Sequence, residues 1–366
     1  MFFNFVFYST ACIVFLVFYT KKDNSMSGAV LILYAALAVI WLWVLLAFRE
    51  PVGDPWRYMR GLEYIAELSF DGLLEYEAPL AFKFLNWLVA VISVNSIFFF
   101  SVIYAFCIIP LYLAFRERFD KVNSAVLIML YLLYPFYLNY LGSGFKQGIG
   151  FGFMLWGFVC LIDKECPKII KGITLLIVAT LFHSSFWIAV FAYVVWKLWL
   201  KNRPLSWPVG ALAFCVLLAA SGLVDSVVNG ILPQSIVDSL GFNEYFDDTF
   251  TSGDHFQSLN YKSGFRLDFA LFTLAPLGVL IYLKKRFHDN ENLDVIKIYC
   301  LLACAYFLLC FIPFSDRIAS FAWFMMPYML YFNGQSKCLN KVQQYFVVIC
   351  ISSYPLLMLT YSKALF

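Results

Sequence analysis

The sequence predicts an all-α, polytopic integral membrane protein of about 12 crossing helices, forming one transmembrane domain over residues 1–366. Three observations carry that expectation. The chain is 63% hydrophobic and only 13% charged, about half the charged share of an ordinary soluble domain, which is roughly 25%. Apolar runs of about 20 residues, the length that crosses roughly 30 Å of hydrocarbon, recur from one end to the other. Between them, Lys and Arg collect in alternate loops, as the charge bias of membrane insertion requires.

Taken in order, the expected spans lie near 2–20, 28–48, 96–115, 124–141, 145–162, 168–182, 185–200, 208–224, 267–283, 295–313, 318–333 and 344–361. The first stretch lacks a basic n-region and reads as a span, not as a cleaved signal. The apolar piece 82–93 is too short to cross and reads as a re-entrant or interfacial helix. With the N-terminus outside, the cytoplasmic loops hold Lys21, Lys22, Arg116, Arg118, Lys121, Lys168, Lys171, Lys197, Lys201, Arg203, Lys284, Lys285 and Arg286, among others. That rule decides one ambiguous segment. Basic residues at both ends of 168–201 demand the same side, so the run is two short helices with an outward turn at His183-Ser184-Ser185. Both termini are then outside.

Two outer loops are long, 49–81 and 225–266. Both are net acidic with an amphipathic pattern, which predicts helices lying along the membrane surface. The chain shows no internal repeat, no Walker A sequence, no dinucleotide fingerprint and no basic nucleic-acid tail. Nucleotide cofactors and nucleic-acid partners are therefore not expected. The ten cysteines form no C-x-x-C pair and have no histidine at ligand spacing, so they read as small core residues and no metal is expected.

On the outer side the scarce ionisable residues gather near helix ends: Asp54, Arg57, Arg60, Glu63, Glu77, Lys83, Lys146, His183, Arg266, Asp268, Asp316 and Arg317. Charges at membrane depth are costly and face a polar interior or cavity. Arginines and lysines with a few carboxylates are what a diphosphate-bearing substrate needs, because guanidinium groups grip phosphate oxygens and offset charge on a leaving diphosphate. A carboxylate or a neutral imidazole would take the proton of an attacking hydroxyl. Plainer readings stand beside these. His183 would cap its turn with the serines, Arg317 would pair with Asp316, Lys146 would snorkel, and Gly144, Gly148 and Gly152 would mark close helix packing.

The ordered stretches "VGDPWRYMRGLEYI", "EAPLAFKFLNWLV", "GSGFKQGIGFGFML", "TLFHSSFW" and "SDRIASFAWFMMP" resemble the EpsG family of bacterial polysaccharide polymerases, relatives in role of the O-antigen polymerase Wzy. The resemblance spans about residues 50–330. It implies a metal-independent glycosyltransferase of GT-C-like helical fold in the bacterial inner membrane, with its active site facing the periplasm. The implied substrate is an undecaprenyl-diphosphate-linked oligosaccharide, with membrane lipid and a chain-length regulator protein as further partners. By position, Asp54 and Tyr58 match the family's Asp-x-x-x-Tyr, Glu77 and Asn86 its Glu-Pro…Leu-Asn element, His183 its histidine and Arg317 its late arginine. Ala78 interrupts the Glu-Pro pair, and Lys146 stands where many relatives carry Arg, which keeps the charge but loses the bidentate fork.

On this reading Asp54, His183 and Arg317 are the catalytic candidates, with Asp54 and His183 equal candidates for general base. Arg57, Tyr58, Arg60, Glu77, Lys146 and Arg266 are the substrate-binding candidates, and Trp56, Tyr58 or Tyr245 would stack on sugars. A lipid-linked oligosaccharide flippase and a membrane O-acyltransferase are the competing functions. The first would show inverted repeats and the second a histidine reachable from the cytoplasm.

Overall fold

The computed structural model describes residues 19, 25–163, 166–223, 264–312 and 315–334. These residues are helical throughout, with no strand among them. The expected spans 2–20 and 344–361 (Tyr19 aside) and nearly all of the second outer loop lie outside the described residues. The chain resolves into two compact units, one of residues 1–190 with 330–366 and one of residues 191–329.

In the first unit, α1 (Ser25–Ala47) follows the expected span closely. Its apolar residues surround the whole cylinder, and Leu33, Leu37, Ile40, Trp41 and Leu45 are exposed. A helix apolar all round is built for lipid, since soluble monomers rarely expose such a surface. It is tied to α5 (Ser96–Arg116) by Trp43 Nε1 donating to Ser101 Oγ (2.8 Å) and Tyr104 OH donating to the Val39 carbonyl (2.8 Å). Asn95 starts α5 by accepting the amides of Ile97 and Phe98, satisfying two of the orphan donors of its first turn.

The first outer loop contains two helices, α2 (Asp54–Glu67) and α3 (Phe70–Glu75). Gly53, at φ +69°, makes the left-handed turn into α2, and Pro55 fits the first helical turn, where no N–H is needed. Pro55, Met59, Leu62 and Ile65 form its buried stripe. That stripe packs on α4 (Leu80–Ile92), the short apolar piece seen in the sequence.

The expected span 124–141 is not one straight helix. It divides into α6 (Lys121–Leu132) and α7 (Pro135–Gly142), bent by 77°. Proline has no N–H and forces the residue before it out of the helical region, and Tyr134 is extended at φ −92°, ψ 112°.

The centre of this unit is an antiparallel pair, α8 (Phe145–Ile162) and α9 (Ile169–Phe182). Glycines set its spacing. A Cβ on Gly157 would meet Leu176 at 2.9 Å and the Gly172 carbonyl at 3.0 Å, and one on Gly172 would meet Leu161 at 2.4 Å. Further along, Phe153 stacks on Phe182 with ring centres 5.7 Å apart, and Gly150 faces Phe186. Gly148 and Gly152 lie against backbone of α7 and α5, so the glycine repeat is a packing device. The 168–201 segment is broken where the charge rule puts the break. His183 is extended, a 3-10 turn follows at Ser184–Phe186, then α10 (Trp187–Val195) and a π-turn at Trp196–Leu200.

The second unit contains α11 (Ser206–Ser221), α12 (Leu267–Arg286), α13 (Leu293–Leu308) and most of α14 (Ser315–Gly334). Its core centres on Thr273, whose hydroxyl accepts Trp323 Nε1 (2.8 Å) and whose carbonyl accepts Tyr299 OH (2.8 Å). Buried lysines close its turns. Lys284 pairs with Asp289 at 2.9 Å, and Lys297 donates to the carbonyls of Leu200 and Lys201. Among the described residues four helices are long and apolar enough to cross a membrane, α1, α5, α8 and α12, and α6 with α7 make a fifth if taken as one bent span.

Candidate functional site

The antiparallel pairing of α8 and α9 brings the start of α8 and the end of α9 to one end of the first unit. Lys146 opens α8 and His183 closes α9, so the fold places these two expected residues at that same end. Around Lys146 the contacts are aromatic. Its Nζ lies 5.4 Å from the ring centre of Phe82 and 6.0 Å from that of Tyr58. Tyr58, one turn into α2, packs 4.8 Å from Phe145 and 5.5 Å from Phe82. The surface helix α2 thereby delivers Tyr58 to the mouth of α8. No carboxylate pairs with Lys146 among the described residues.

A residue that the sequence reading did not single out joins this group. Arg49, just beyond α1, lies with Cζ 5.3 Å from the Phe100 ring centre and 5.9 Å from that of Phe145. Its Nη2 donates to the Gly142 carbonyl at the end of α7, and its buried Nε has no hydrogen-bond partner among the described residues. Burial pulls its guanidinium down from the ordinary value, but arginine stays charged at any physiological pH. Only its charge beside a long apolar run could have flagged it, and "FREP" carries no motif. Beside Lys146, the Gln147 Nε2 is likewise buried without a partner, as is Asn86 Oδ1 on α4.

The other candidates divide by environment. Asp54 and Arg57 form an exposed pair at 3.3 Å on α2, and Arg60 pairs with Glu63 at 3.3 Å while lying over Trp56. Exposed pairs of this kind are worth roughly 0–1 kcal/mol, so they exchange easily for a ligand. Glu77 is exposed in the α3–α4 linker. Lys83, gathered with the outer-face charges from the sequence, is buried and holds that linker by donating to the carbonyls of Leu74 (2.8 Å) and Tyr76 (3.3 Å). Its ammonium is consumed by structure.

His183 does cap its turn. Nδ1 accepts the Ser185 amide at 3.2 Å and lies 2.7 Å from the Ser185 hydroxyl. A ring nitrogen that accepts a backbone N–H carries no proton, so in the neutral imidazole the proton is on Nε2. In the second unit, Arg266 is bound by both ends of the Asp268 carboxylate (3.2 and 2.6 Å) and stacks 3.7 Å over Phe269. Arg317 is exposed in the first turn of α14. Tyr245 lies outside the described residues.

With the geometry in view, the sequence matches one family model, that of the EpsG family, over residues 32–365. No curated protein and no solved structure matches it.

Proposed function

The chain belongs to the EpsG family, whose members are membrane proteins of the polysaccharide-polymerase type, and on that premise we propose that it polymerises lipid-linked oligosaccharide repeats. In this reading it crosses the bacterial inner membrane about 12 times, adopts a GT-C-like fold and works at the periplasmic face. The donor is a glycan chain on undecaprenyl diphosphate and the acceptor is a lipid-linked repeat. The observation that carries the reading is the pair of cations, Arg49 and Lys146, held on aromatic rings with no carboxylate paired to them among the described residues. Cations kept unpaired beside apolar helices suit a ligand that brings its own negative charge.

The reaction forms a bond from an acceptor hydroxyl oxygen to the donor's anomeric carbon and breaks the bond from that carbon to the diphosphate oxygen. Negative charge grows on the leaving diphosphate, and Lys146 offsets it. The hydroxyl proton goes to a base. Asp54 takes that role, because His183 presents Nε2–H and so donates; the imidazole is assigned to a diphosphate or sugar oxygen. Exposed Trp56 and half-buried Tyr58 are assigned to stacking on a sugar. Arg57, Arg60, Arg266 and Arg317 are assigned to diphosphate contacts and Glu77 to sugar hydroxyls.

The test is the length profile of the surface glycan in a strain lacking the gene. Loss of a polymerase leaves single repeats. An absence of surface glycan would instead indicate a flippase, and full-length glycan without acyl groups an acyltransferase. Arg317→Ala supplies an independent arm, with single repeats expected and normal polymer removing that residue from the reaction.

A further inference from the structure

We propose that Arg49 is a diphosphate-binding residue, supplying at this end of the first unit the two-pronged hydrogen bonding that Lys146 lacks. The inference rests on the polymerase reading above. A lysine ammonium is a compact point charge on a flexible stem, whereas a guanidinium offers a planar fork matched to the oxygens of a phosphate. Lys146 therefore attracts an anion without fixing its orientation.

Arg49 is placed to do the fixing. Its guanidinium lies against the rings of Phe100 and Phe145, and Phe145 both precedes Lys146 and packs on Tyr58, so one aromatic cluster bears on both cations. The Gly142 carbonyl engages Nη2 and thereby sets the plane of the group. Its Nε remains buried without a hydrogen-bond partner among the described residues. A buried donor left without an acceptor is unfavourable, and a phosphate oxygen would satisfy it. The same holds for Gln147 Nε2, adjacent in sequence to Lys146. The plainer role for Arg49 is a staple on the end of α7. Lysine would serve that role too, because an ammonium also donates to a carbonyl.

The experiment uses the full chain in lipid nanodiscs and measures binding of undecaprenyl diphosphate, undecaprenyl monophosphate and free inorganic pyrophosphate. Wild type should bind the diphosphate lipid, and Arg49→Lys should bind it about ten-fold more weakly, with a smaller loss for the monophosphate. Pyrophosphate competing at similar concentration would assign recognition to the headgroup; weak competition would add the lipid tail to it. Either result supports Arg49 if the lysine variant loses the preference for diphosphate. Unchanged diphosphate binding by Arg49→Lys overturns the proposal and leaves the polymerase reading standing, whereas no binding by wild type overturns both. Should the variant fail to fold, wild type still decides the matter. Modification of Arg49 by phenylglyoxal, mapped by mass spectrometry, should be blocked by undecaprenyl diphosphate, and modification at an unchanged rate overturns the proposal.

Discussion

The two ends of the α8–α9 pair handle charge in opposite ways. At the end where α8 finishes and α9 begins, Glu117 is bound by Lys168 at 2.5 Å, by Lys171 and by Trp156 Nε1 at 3.0 Å. Next to it Arg118 pairs with Asp163 at 3.1 Å. Burial alone would raise the Glu117 carboxyl, but the two ammonium groups and the indole outweigh it and hold it down at about 2. The other end has Arg49 and Lys146 on aromatic rings, with no such closure among the described residues. A closed network spends its charges on the fold, while an open set keeps them for a partner. The same two helices thus carry one end whose charges are paired with each other and one whose cations rest on rings.

The largest expected effect attacks the open end. Lys146→Gln should cut polymer formation on the order of 100-fold, the scale of losing one charge-stabilising group, with little change in melting temperature. An equal loss of stability and polymer would erase the distinction between the ends. Next comes the seam joining them. Gly157→Val forces a side chain against the Gly172 carbonyl and should destabilise by about 1–3 kcal/mol in a thermal melt, with polymer lost only in proportion to folded protein.

At the closed end, Glu117→Gln should lower the melting temperature at neutral pH without shortening the glycan. Because the folded carboxyl sits at about 2 against an ordinary 4.5, its stabilisation is complete above about pH 4.5 and disappears as pH falls toward 2. The gap between variant and wild type should therefore narrow over that window, and a constant gap would mean that the charge does not matter. The smallest effect belongs to Ser185→Ala. It removes the hydroxyl beside His183 but keeps the amide that caps the turn, so stability should move by roughly 1 kcal/mol or less. A severe loss would show that the hydroxyl, not the amide, orients the ring.

Much of this was legible in the sequence because bilayer thickness imposes its own period. The limits of α1, α5 and α8 follow from apolar length, and the break at His183 follows from basic residues on both sides of one run. The bend at Tyr134 does not show in the hydropathy, because the apolar run from Ala125 to Leu138 continues through Pro135 without a charged or amide residue. Within the site, Tyr58 and Lys146 were found by motif, and their meeting on Phe82 and Phe145 was invisible because it depends on how α2 packs. Arg49 carried no motif, and Lys83 looked like any other outer cation until its ammonium met two backbone carbonyls.

On the twelve-span reading, the lengths of α9 and α11 have a consequence for the surrounding lipid. With 14 and 16 residues, they extend only about 21–24 Å at 1.5 Å per residue, against a hydrocarbon layer of roughly 30 Å. Hydrophobic mismatch of that size, at fractions of a kcal/mol per ångström, is met by local thinning of the bilayer. Acyl-chain length therefore becomes a control variable for this protein, and reconstitution in short-chain lipid should hold its short helices with the least deformation of the membrane.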